Sequence, residues 1–115
     1  MDLAQARTEF LAYVAVERGL SVNTLDAYTR DLEGYLLWLN GKKITLPNQV
    51  TRSDVEEYIG SLRDLGMAPA SVERHTAALR NFHKFMAVEQ ICESSPAEDL
   101  PTAARIQRLP DVISQ

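Results

Sequence analysis

The sequence holds a single cysteine, Cys92, and only two histidines, His75 and His83. One cysteine can neither close an internal disulfide nor build a cysteine zinc site, and the histidines have no neighbours at metal-ligand spacing. No metal and no cofactor are expected. No apolar run approaches the ~20 residues that span a bilayer, and Met1-Asp2 opens the chain without the basic and apolar regions of a secretory signal. A cytoplasmic chain is therefore expected, with neither membrane nor small-molecule substrate as partner. Positive charge is scarce as well: 12 Lys and Arg face 16 Asp and Glu, a net −4, whereas a self-sufficient nucleic-acid module is usually basic. Alternating strand patterns are missing too. What remains is a chain of 115 residues, 45% hydrophobic and 24% charged, which fits one domain with a genuine core and argues against disorder.

Apolar periodicity predicts four helices. Leu3, Ala6, Phe10, Tyr13 and Val14 recur at three- and four-residue steps and share one stripe, with Gly19 as the stop. Ser21 suits the N-cap of a second helix whose Leu25, Tyr28, Leu32, Tyr35, Leu36 and Leu39 form an apolar face, ending at Asn40-Gly41. Lys42 to Val50, with Pro47, reads as a connection. Thr51 with Asp54 resembles a capping box for a third helix through Val55, Tyr58, Ile59, Leu62 and Leu65, closed by Gly66. Pro69 fits the first position of a fourth, where its missing N–H costs nothing, and Val72, Leu79, Phe82 and Met86 are its buried stripe. These four amphipathic segments predict an all-α, compact four-helix bundle.

The character changes after Val88. Ser94 to Pro101 can hold one helical turn, but Thr102 to Gln115 follows Pro101, contains Pro110 and lacks a periodic stripe. Residues 1–95 are assigned as the helical domain and 96–115 as an extended C-terminal linker.

The faces opposite the core stripes carry the functional signal. At 100° per residue, Asn23, Ala27, Arg30 and Gly34 lie opposite Leu25 and Leu32, with Thr24 on the flank. The same projection puts Ala70, Arg74, Ala77, Asn81 and Lys84 opposite Val72, Leu79 and Met86. Between Pro69 and Val88, Arg74, Arg80 and Lys84 stand against Glu73 alone, so this is the one basic helix in an acidic chain. Arg and Lys neutralise phosphates, Asn bonds adenine bidentately, Thr and Ala contact a thymine methyl, and the major groove admits one helix. Pattern alone leaves two readings open: solvated faces, or faces laid on a duplex.

Several motifs in order resemble the N-terminal core-binding domain of tyrosine site-specific recombinases, the Xer and phage-integrase family. They are the Phe10-Leu11 helix, Leu20-Ser21-Val22-Asn23-Thr24-Leu25 with Ala27-Tyr28 and Asp31-Leu32, Ala78-Leu79-Arg80-Asn81-Phe82 with Phe85, Pro96-Ala97, and Arg108-Leu109-Pro110. Each is weak alone; their ordered combination covers nearly the whole chain. The resemblance implies a SAM-like helical cap that clamps one face of a double-stranded DNA half-site beside other recombinase subunits, while a separate C-terminal domain supplies the tyrosine nucleophile. It carries DNA contact onto Asn23, Thr24, Ala27, Arg30, Arg74, His75, Ala78, Asn81 and Lys84. His75 and Ala78 rest on the resemblance only.

Three positions depart from the family pattern. Ala68 replaces a common Ser cap, Thr76 a usual aliphatic and His75 a frequent Arg. No catalysis is expected within these 115 residues. Tyr13, Tyr28, Tyr35 and Tyr58 fall on apolar stripes, His83 lies on the core side of its helix, and Cys92 has no base to pair with. The active centre is expected beyond Gln115, the chain reading as a fragment cut in the interdomain linker. The rival expectation is a helical protein-interaction module without direct DNA contact, which the acidic net charge favours. An ordinary helix-turn-helix regulator fits less well, since a whole helix separates the two candidates.

Overall fold

Three of the four helices begin where a side-chain oxygen meets the free N–H groups of the first turn. A computed structural model, describing residues 1–92 and 95–96, places α1 at Leu3–Glu17, α2 at Val22–Gly41, α3 at Arg52–Asp64 and α4 at Pro69–Val88. Asp2 accepts from the Gln5 N–H at 2.8 Å while the Gln5 side chain accepts from the Asp2 N–H at 3.0 Å, a reciprocal capping box on α1. Ser21 Oγ accepts from the Thr24 N–H at 3.2 Å on α2. The Thr51/Asp54 box forms as the sequence suggests, and its backbone donor holds the Asp54 carboxyl below the usual range, with Lys42 helping. Only α4 lacks such a cap: Ala68 offers no side-chain acceptor, and Pro69 removes one of the donors that would need one.

The helix ends follow backbone chemistry. Gly19 at φ 58° and Gly66 at φ 84° take the left-handed position that closes α1 and α3. At the end of α2 the expected stop shifts: Gly41 stays helical, and Lys43 adopts φ 63° while Ile44 N–H donates to Leu39 O at 2.9 Å. The helix thus ends just past Asn40-Gly41, and the closing conformation falls on a lysine. The connection that follows contains one 3-10 turn, Pro47–Gln49. Its Thr45 carbonyl accepts from the Leu3 N–H at 2.9 Å and fastens the start of α1.

α1 and α2 pack on each other and on α4, and α3 covers α4 and α2. Phe10, Leu32, Tyr35, Leu39, Leu79, Phe82 and Met86 form the centre, each 0–1% exposed. α4 is the spine, burying Val72, Thr76, Ala78, Leu79, Phe82, His83 and Met86 along most of its length. The Thr76 hydroxyl, an oddity for a core position, is satisfied by donating to Val72 O at 2.8 Å. Tyr13 departs from its expected stripe: it is 41% exposed and lies against the Phe85 ring at 5.1 Å. The architecture is the all-α four-helix domain that the periodicity predicts. The extended linker, together with Pro96-Ala97 beyond its proline and Arg108-Leu109-Pro110, lies outside the described residues. No helix among the described residues is long and apolar enough to cross a membrane.

Candidate nucleic-acid interface

The outer faces of α2 and α4 are set by what the two helices bury. α2 turns Leu32, Tyr35 and Leu39 inward, which leaves Asn23, Thr24 and Arg30 exposed and Ala27 half-buried. Thr24 completes the cap, its Oγ1 accepting from the Ser21 hydroxyl at 3.0 Å. On α4, Arg74 and Lys84 are exposed and Asn81 is half-buried. Asn81 and Lys84 line a cleft of about 160 Å³ with Tyr28 of α2 and with Arg18 and Leu20 from the connection between α1 and α2. The first half of α2 and the second half of α4 therefore border one depression.

Two residues expected at the interface do not reach the surface. Ala78 is 0% exposed and His75 9%, both on the core side of α4. Ala78 is closed to a duplex by packing alone. Burial pushes His75 below the usual imidazole range; the Asp31 carboxylate opposes this and the Arg74 charge adds to it. α4 is buried over an arc wider than the Val72/Leu79/Met86 stripe, and these two positions, carried over by resemblance and not by the helical projection, fall inside it.

Asp31 is the residue that periodicity overlooked. It lies 3% exposed on the core side of α2, and its carboxylate accepts from Arg74 Nε at 2.9 Å and Nη2 at 3.1 Å. His75 Nε2 stands 3.3 Å from the same carboxylate. The bond to Asp31 raises the Arg74 pKa further, so this guanidinium is a permanent cation held in a two-pronged grip. An acidic residue one turn before Tyr35, on a stripe otherwise apolar, was the available signal.

A second polar contact lies deeper. Tyr35 Oη and His83 Nε2 share a hydrogen bond of 2.8 Å, both side chains being fully buried. Burial drives the His83 pKa down to about 4 and pushes the Tyr35 hydroxyl far above its ordinary value. Tyr58, in contact with the Tyr35 ring at 5.0 Å, is raised by burial too. These groups are kept neutral and serve packing. Among the described residues no cluster of His, Cys, Asp and Glu could hold a metal ion.

Comparison with known proteins gives a consistent set of relatives. Residues 8–90 match the family model described as phage integrase, N-terminal SAM-like domain. A tyrosine recombinase XerD from Oceanobacillus iheyensis is 35% identical over 114 residues, 98% of this chain and 38% of that protein. The XerD of Listeria monocytogenes is 36% identical over 92% of the chain and 36% of its own length, and that of Chlorobaculum tepidum 33% identical over 91% and 34%. The chain thus spans little more than a third of the curated relatives it matches. No solved structure matches it significantly.

Proposed function

The chain belongs to the phage integrase N-terminal SAM-like domain family, and on that premise we propose that it clamps one face of a DNA half-site during strand exchange by a Xer-like tyrosine recombinase. The observation that carries this reading is the exposed face of α4. In a chain of net charge −4, Arg74, Asn81 and Lys84 stand on the one locally basic helix, and Asn81 and Lys84 border a cleft that Tyr28 of α2 also lines. Asn23, Thr24, Ala27 and Arg30 supply the second row, which gives close approach and amide or hydroxyl contacts more than electrostatic grip.

Bond making and breaking on DNA belong, in this proposal, to a catalytic domain reached through residues 96–115, and other recombinase subunits are the protein partners. The site of action is the cytoplasm, where the DNA is. With few basic contacts the domain alone binds weakly, on the order of micromolar or poorer, and its affinity falls as salt rises because each neutralised phosphate releases counterions.

The test is a titration of a fluorescein-labelled mixed-sequence duplex at low and moderate salt, with Lys84→Glu and Arg30→Glu. Both side chains are exposed, so their replacement leaves the core intact. Arg74→Glu is unsuitable, since it sets a second carboxylate against buried Asp31. Weak, salt-sensitive binding that each variant weakens further supports the clamp; binding indifferent to salt and to both variants contradicts it.

One observation favours a second reading, a protein-interaction module. A depression of about 310 Å³ between α1 and α2 is lined by Leu3, Leu36, Leu37 and Ile44, with Leu37 65% exposed. Self-association lost on Leu37→Asp, with no DNA binding by the unsubstituted chain, would place that reading first.

A further inference from the structure

We propose that Asp31 is a positioning residue for DNA: it fixes the Arg74 guanidinium at the α2–α4 seam as a charge-compensated donor, so that Arg74 meets a phosphate oxygen by direction rather than by net charge. This rests on the clamp reading above and adds the manner in which one of its contacts works.

The geometry assigns the parts. Asp31 is 3% exposed and held by the helix that contributes Leu32 and Tyr35 to the core, so its carboxylate cannot follow a moving partner. Arg74 is 46% exposed, and it spends Nε and Nη2 on that carboxylate at 2.9 and 3.1 Å. An arginine has five N–H donors in a rigid plane. Two nitrogens engaged in one plane fix the direction of the third, and Nη1 is left to donate. A solvated lysine such as Lys84, which has no ion-pair partner among the described residues, instead brings its charge on a flexible stem.

The two modes differ in their response to salt. Neutralising a phosphate with an unpaired cation releases counterions and contributes about 0.9 to the slope of log affinity against log salt. A guanidinium whose charge is already balanced adds a hydrogen bond but little slope. Asp31→Asn removes the balancing charge while keeping size and one acceptor oxygen, so it converts Arg74 to the ordinary mode. Asp31→Asn with Arg74→Ala removes both charges together and leaves no buried carboxylate unpaired.

The experiment measures binding of a fluorescein-labelled mixed-sequence duplex across a salt series, each variant being held well below its own melting temperature. Lys84→Ala should flatten the slope by about 0.9, and Asp31→Asn should steepen it by a similar amount. The double variant should keep the slope of the unsubstituted chain and bind about tenfold more weakly at every salt concentration, as loss of one charge-assisted hydrogen bond requires. A role in stability alone would lower the melting temperature and leave slopes untouched. An unchanged slope in Asp31→Asn, or unchanged affinity in the double variant, overturns the positioning role while the Lys84→Ala result still supports the clamp. No binding by the unsubstituted chain removes the clamp and this inference with it.

Discussion

Mild acid should destabilise this domain, and His83 is the reason. Its imidazole is fully buried against Tyr35 and Phe82, and burial holds its folded-state pKa at about 4, against about 6.5 in an unfolded chain. Between those values the unfolded chain binds a proton that the native state refuses. Stability is therefore complete above about pH 6.5 and falls as the pH drops toward 4. Each pH unit in the window is worth about 1.4 kcal/mol, giving a loss of about 2 kcal/mol by pH 5 and about 3 kcal/mol once His83 itself protonates. Against a total of roughly 5–15 kcal/mol for a domain of this size, that loss is easily measured. His75 is depressed by burial too, so it acts in the same direction. Urea unfolding followed through the single tryptophan, Trp38, which packs on Tyr58, supplies the assay from pH 7.5 to 5. His83→Gln cannot titrate and keeps an amide to meet the Tyr35 hydroxyl. It should be less stable at pH 7.5, yet lose much less on acidification. A midpoint that stays flat in the natural chain, or an equal pH dependence in His83→Gln, refutes the reasoning.

Two further changes test the local chemistry. Ala68→Ser should supply α4 with its missing cap and raise stability by about 0.5–1 kcal/mol, read as a higher melting temperature; no gain would mean that Pro69 already leaves nothing for the hydroxyl to satisfy. Lys43→Gly should stabilise by up to about 1 kcal/mol by relieving a non-glycine residue at φ 63°, seen as a higher urea midpoint with unchanged slope.

Periodicity and caps made the helices legible. Ser21, Thr51 with Asp54, Gly19, Gly66 and Pro69 all act through local hydrogen bonds or backbone freedom, and these need only near neighbours in sequence. The reading failed where a contact spans helices. Asp31 and Arg74 are 43 residues apart, and Tyr35 and His83 48, so no window of sequence joins them. His75 and Ala78 are assigned by resemblance, which carries positions over without regard to the face that α4 turns inward here; with α1, α2 and α3 docked on α4, both lie on its buried side. Lys43 shows the limit of a glycine rule: the chain tolerated strain there because Ile44 and Lys42 both find carbonyls to donate to.

The contacts of Asp31 with Arg74 and of Tyr35 with His83, which join α2 to α4, also do something that apolar packing cannot. Apolar contacts are non-directional, whereas a hydrogen bond tolerates little displacement or tilt, most of all where water is excluded, as between Tyr35 and His83. One such bond stops two rods from slipping; two at separate heights also stop them from swivelling. Asp31 and Tyr35 are a single turn apart on α2, and they engage Arg74 and His83, more than two turns apart on α4. Together they act as a pair of dowels. The spacing between the exposed rows of the two helices is thereby machined from inside the domain, and a substitution that never touches the surface can still put those rows out of step.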